Sequence, residues 1–199
     1  MMRIRATVGS LLAVALLLAM AREASAQDAQ AFVGRLGEQA IQVLGPGIPE
    51  VQRQARFREL FRDDFDLPAI GQFVLGRYWR TATPQEQQDF LGLFHEYLVR
   101  AYSARLGVYG GEPFHVTGTR QSGEETVVTS EILRANGSRI EVDWYLVHHS
   151  GSLKIIDVYV AGVSMKVTQR DEFAAVIQRN GGRLEALIAQ LRQKLAVAG

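Results

Sequence analysis

The 199-residue sequence contains no cysteine, which removes disulfides, thiolate nucleophiles and cysteine-ligated zinc from consideration. Attachment to a membrane through a lipidated cysteine goes with them. The histidines are His95, His115, His148 and His149. The last two are neighbours in a strand-like segment, where successive side chains point to opposite faces. They are therefore read as surface residues beside a turn, not as a ligand pair. No His-Glu-x-x-His helix and no Gly-Lys-Ser/Thr phosphate loop occurs. A serine nucleophile elbow is missing too, because Gly162-Val163-Ser164-Met165 runs on into Lys166. These absences leave no catalytic motif, no metal site and no expected cofactor.

Charge of one sign is also lacking. Basic residues number 22 and acidic residues 21, so there is no electrostatic footprint for nucleic acid. Nor is there a polybasic segment to hold the chain on an anionic membrane. Long apolar runs are confined to one place. Arg3 and Arg5 precede the uncharged stretch Leu11 to Ala21, and Ala24-Ser25-Ala26 supplies the small residues of a cleavage site. The run is shorter than the roughly 20 residues that cross a bilayer. Residues 1–26 are therefore expected to be a cleaved signal peptide. Residues 27–199 are expected to form a single exported domain with a substantial core.

Helical periodicity dominates the first half. Residues 28–44 place Phe32, Leu36, Ala40 and Leu44 in step before the breaker Gly45-Pro46-Gly47. A helix over 49–63 is expected to present Val51, Ala55 and Leu60, and a short one over 67–75 Leu67, Ile70 and Val74. Thr83-Pro84-Gln85-Glu86 is a capping box. It opens a helix carrying the stripe Phe90, Leu93, Phe94, Tyr97, Leu98, Ala101, Tyr102 and Leu106.

The period then changes to two. Strands are expected at 113–119, 124–134, 139–149 and 153–161, with hairpin turns at Asn136-Gly137 and His149-Ser150-Gly151-Ser152. Ile140, Val142, Trp144 and Leu146 share one face of the third strand, opposite Arg139, Glu141 and Asp143. Short helices at about 168–179 and 183–196 close the chain around Asn180-Gly181-Gly182. Helices, a meander and helices again make an α+β domain. The expected form is a four-stranded twisted antiparallel sheet curled against a helical layer, a half-open cone of the nuclear-transport-factor-like type with extra helices.

More apolar faces compete for the core than one core needs. The short helix offers Phe73 and Val74; the long helix offers Phe90, Phe94, Tyr97, Leu98 and Tyr102. The sheet offers Val128, Val142, Trp144, Leu146, Ile155 and Tyr159. Such a surplus either packs shut or encloses an apolar ligand, and these residues are the candidate lining. Asp157 interrupts an otherwise apolar strand. It can serve as a general base in an isomerase-like pocket, with Tyr159 beside it, or anchor a neighbouring element through hydrogen bonds.

Leu153 to Phe173 adds a resemblance. Its strand passes through Ala161-Gly162-Val163-Ser164 into a helix, and it resembles the strand-to-helix junction of the MlaC family. Leu75 to Pro84, the spacing of Phe90, Phe94, Tyr97-Leu98 and Ala101-Tyr102, Val142-Asp143-Trp144, and Asn180 to Leu191 are similar to that family in the same order. The resemblance implies a soluble periplasmic carrier that shuttles glycerophospholipid between the outer and inner membranes and maintains outer-membrane lipid asymmetry. Its implied partners are an outer-membrane lipoprotein complex and an inner-membrane ABC transporter with a mammalian-cell-entry domain. A related cargo such as a hopanoid stays open, and so does a cone-fold enzyme using Asp157 and Tyr159. On the carrier reading Gly162 permits the bend, Ser164 or Thr168 caps the following helix, and Asp157 anchors the joint.

Overall fold

The computed structural model describes residues 25–42, 47–106 and 111–196. The expected signal peptide up to residue 24, Leu44, Gly45 and Pro46 lie outside the described residues. Helix α1 covers 25–42, followed by α2 (Glu50–Asp64), α3 (Leu67–Leu75), α4 (Arg77–Thr81) and α5 (Pro84–Leu106). The sheet comprises β1 (Phe114–Ser122), β2 (Glu125–Leu133), β3 (Arg139–His149), β4 (Ser152–Val160) and β5 (Val163–Ser164), before α6 (Met165–Arg179) and α7 (Leu184–Ala196).

The sheet is an antiparallel meander in the order β1-β2-β3-β4-β5, so the expected four strands become five. The reason is local. Ala161 and Gly162 both take positive φ, 50° and 78°, and reverse the chain tightly enough for Val163 and Ser164 to pair with Val160 and Tyr159. The same reversal starts α6 at Met165, earlier than the sequence pattern places it. At Asn136-Gly137 only the glycine adopts positive φ, 82°, and Arg134 N donates to Ser138 O to close a longer turn.

Local chemistry explains the helix ends. Thr83 N donates to Glu86 Oε2 at 2.8 Å and Glu86 N to Thr83 Oγ1 at 3.2 Å, completing the capping box of α5. Asp66 caps α3 by accepting from Ala69 N, and its own amide donates to Ile155 O. Through that bond, and the Phe65–Ile155 bridge, the α2–α3 junction covers part of the free edge of β4. An uncovered edge invites mispairing.

Burial in α2 differs from the expected face. Val51 is 78% exposed, whereas Phe57 and Phe61 are buried. Rings four residues apart remove more apolar area from water than a valine and an alanine can, and the helix rotates accordingly. Arg58 then reaches Glu96 on α5 with two bonds of 2.8 and 2.7 Å.

The interior is divided. One core joins α2, α3, α5, α6 and α7 around Phe61, Val74, Phe90, Phe94, Ile177 and Leu187. A second joins α1 to the sheet through Ala29, Val33, Leu36, Val128, Leu146 and Ile155. Gly37 lets α1 approach closely, because a Cβ there would lie 2.3 Å from the Phe114 ring of β1.

Candidate ligand cavity

Between the two cores lies an apolar cavity of about 330 Å³, the size of a small-molecule site. Its walls come from every layer. Helix α1 supplies Leu36, Ala40 and Ile41; α2 supplies Phe57, Leu60 and Phe61; α5 supplies Phe94, Leu98 and Tyr102. The sheet contributes Phe114, Ile132, Ile140, Val142, Trp144, Val158 and Val160. Register accounts for that choice: Val128, Ser130 and Ile132 stand opposite Trp144, Val142 and Ile140, and β4 sets Val158 and Val160 beside Trp144 and Val142. One face of the pleat therefore turns inward.

Trp144 is held in place by its polar edge. Its Nε1 donates to Ser130 Oγ at 2.9 Å, and Ser130 Oγ donates to Val142 O at 3.2 Å. Ser130 is fully buried, so this chain satisfies its hydroxyl while presenting the indole's apolar face. Phe114 packs edge-on against the indole, with centroids 6.5 Å apart.

The structure distributes the candidate lining residues among three places. Phe94, Leu98, Tyr102, Val142 and Trp144 come together around the cavity. Val74, Phe90, Val128, Leu146 and Ile155 are buried within the flanking cores, and Tyr97 packs on Phe173 with centroids 5.7 Å apart. Phe73 lies partly buried beneath the cations of Lys166 and Arg170. Tyr159 is a correction: it stands on the opposite sheet face, stacked on Tyr145 at 4.6 Å. A bulge between Tyr145 and Leu146 in the β3–β4 register separates it from Ile155, although odd–even alternation alone puts both on one face.

The cavity walls from α1 and α2, and Ile132, Ile140, Val158 and Val160, did not figure among the candidates. The helical spacing of Leu36 and Ala40 is the signal for α1. The Phe57–Phe61 spacing was the signal for α2.

Asp157 is 3% exposed, and its carboxylate is fully engaged. Oδ1 accepts from Val158 N at 2.8 Å and Lys166 N at 3.1 Å, and Oδ2 accepts from the Ser164 hydroxyl at 2.6 Å. Ser164 Oγ in turn accepts from Val167 N at 3.1 Å, which makes Ser164 the α6 cap. Thr168 does not share that role; its hydroxyl donates to Ser164 O at 2.8 Å. Asp157 and Tyr159 are not brought together as an acid–base pair. Of the histidines, His149 contacts the buried Asp66 through Nδ1, and His95 Nε2 lies 3.2 Å from Arg58 O. No cluster suited to a metal ion is found among the described residues.

The sheet's other face is polar. Arg120 forks onto Asp143, which also accepts from Thr129 Oγ1 at 2.6 Å. The guanidinium bond outweighs partial burial and holds the Asp143 carboxyl below the usual range. Beside the cavity a polar groove between α1 and α2 is lined by Gln39, Arg56, Glu59, Asp63 and Asp64. Burial, together with the charge of Asp63, raises Asp64 above the ordinary carboxylate range.

Helices stacked on one face of an antiparallel sheet, with an apolar cavity between two cores, define an α+β protein built around a binding space. Residues 35–193 match the family model described as MlaC protein, so the chain belongs to the MlaC family. Over 113 residues it is 30% identical to the toluene tolerance protein ttg2D of Pseudomonas putida, an alignment of 56% of this chain and 53% of that protein. The chain thus spans about half the length of that relative. It is 23% identical over 145 residues to the intermembrane phospholipid transport system binding protein MlaC of Haemophilus influenzae, covering 68% and 67% of the two chains. A phospholipid-binding protein from Ralstonia solanacearum, solved in complex with a phospholipid, has the same fold. The TM-score is 0.71 at 23% identity, over 84% of this chain and 96% of that one.

Proposed function

We propose that this protein is a periplasmic lipid carrier and not an enzyme. It holds the acyl tails of a glycerophospholipid in the apolar cavity, leaves the head at the surface, and shuttles the lipid between membrane complexes. The observation that carries the reading is the cavity itself, walled almost wholly by hydrocarbon in a member of the MlaC family. Each buried methylene is worth about 0.8 kcal/mol, so even partly enclosed tails leave for water very slowly. Release then belongs at a docking partner. The partners proposed are an outer-membrane lipoprotein complex on one side and an inner-membrane ABC transporter with a mammalian-cell-entry domain on the other. The name of the Haemophilus relative, an intermembrane phospholipid transport system binding protein, supports a setting between two membranes.

Export follows from residues 1–26 acting as a cleaved signal, with 27–199 as the single working domain. Among the described residues no helix is long and apolar enough to cross a membrane. On this reading the meander curls on its helices as a half-open cone of the nuclear-transport-factor-like type, with its concave side toward the cavity. Transfer is tested with donor vesicles of fluorescent phosphatidylglycerol and unlabelled acceptor vesicles. The protein is expected to carry label out of the donor as a soluble one-to-one complex. Label that stays with the vesicles at every protein concentration would refute the shuttle.

A further inference from the structure

We propose that Lys166 and Arg170 form the phosphate-binding rim of the cavity. This inference rests on the lipid-carrier reading and adds where the head of the lipid sits. Nearly all of the lining is apolar; the charged side chains among the described lining residues are Asp157 and Lys166. Asp157 already accepts three bonds within its own joint. Lys166 remains, half-buried and next to the lining residue Gln169, where the apolar wall reaches the surface.

Arg170 stands one helical turn further on the same face of α6. Both cations lie over the ring of Phe73, with Lys166 Nζ at 4.8 Å and the Arg170 guanidinium at 5.0 Å from its centroid. Two like charges at this spacing repel each other on a helix. The π face offsets part of that repulsion, and an anion between the cations offsets the rest. Among the described residues Lys166 has no carboxylate within ion-pairing range, and Arg170 has only a loose 3.6 Å contact with its neighbour Asp171. The first amides of α6 do not compete for the anion, because Lys166 N and Val167 N donate to Asp157 and Ser164.

The alternative exit offers no unpaired cation among its described lining residues. The groove between α1 and α2 shares Ala40, Phe57 and Leu60 with the cavity. Its lining cation Arg56 is paired with Glu59, and Asp63 alongside is paired with Arg62. A phosphodiester is drawn to the α6 rim, and the described lining of the groove has no free cation to compete for it.

The test equilibrates the protein with vesicles of dioleoylphosphatidylglycerol containing a minor share of dioleoylglycerol, which has the same tails and no phosphate. Mass spectrometry of the recovered protein reads the enrichment. Wild type is expected to hold phospholipid over diacylglycerol in a ratio roughly tenfold above their ratio in the vesicle. The double variant Lys166→Gln/Arg170→Gln should lose that enrichment and keep its total lipid load, and Lys166→Arg/Arg170→Lys should restore it. An unchanged preference in the Gln variant overturns the assignment. Loss of both lipids overturns it as well, since the pair would then be holding the cavity and not the phosphate. A melting temperature raised by inorganic phosphate alone would assign the cations to a free ion and also overturn it. Wild type that loads both lipids equally defeats this inference only; wild type that loads neither defeats the carrier reading beneath it.

Discussion

Replacing Asp157 by alanine is expected to lower stability by about 4 kcal/mol and the melting temperature by roughly 10 °C. The carboxylate serves three donors from two elements: Val158 N on its own strand, and Lys166 N and the Ser164 hydroxyl at the start of α6. With Asp157 only 3% exposed, water does not readily replace it. The donors are left unpaired in a low-dielectric joint, where each missing bond costs about 1–3 kcal/mol. Asp157→Asn keeps an acceptor for the two amides and lets the Ser164 hydroxyl reverse its role, so a loss of about 1 kcal/mol is expected. Chemical denaturation of the two variants reads both values. Alanine and asparagine variants that both lie within error of wild type would show that Asp157 does not anchor the joint. A general base would give the opposite pattern, with function lost in the asparagine variant while stability is kept.

Arginine at Trp144 or Leu98 should empty the cavity of lipid. Both side chains line it, one from the sheet and one from α5. A guanidinium there occupies room that tails need and brings a charge into an apolar space. Excluding even three methylenes weakens binding by about 2.4 kcal/mol, roughly fiftyfold. Lipid recovered with either variant is expected to fall below about a tenth of the wild-type amount on that scale. Leu98→Ala serves as the control, because it enlarges the cavity without charging it and should retain lipid. Wild-type lipid content in both arginine variants would place the tails elsewhere.

The legible parts of this sequence were those in which local chemistry decides the outcome. The capping box at Thr83 and Glu86, the span Leu67–Leu75 and the boundaries of β3 all follow from side chains acting on neighbouring backbone. The cavity depended on what local periodicity does not encode. Alternation treats Ile155 and Tyr159 as partners, and the bulge opposite Tyr145 separates them. The aromatic stripe of α5 reads as a single face. In the fold Tyr97 turns toward Phe173, while Leu98 and Tyr102 turn toward the cavity. The face of α2 was decided by competition between Val51 and the Phe57–Phe61 pair for a position whose neighbours come from distant parts of the chain. Asp157 illustrates both sides: its singularity in an apolar strand was visible, but two of its three donors, the Ser164 hydroxyl and Lys166 N, meet it only when β5 folds back.

The central claim is that this chain carries a lipid in its apolar cavity, and native mass spectrometry of the protein recovered gently from the periplasm tests it most directly. The account predicts a chain beginning at Gln27 with one phospholipid-sized adduct, removable by organic solvent and identifiable in the extract. A bare chain under the same gentle conditions, with an empty solvent extract, would contradict it.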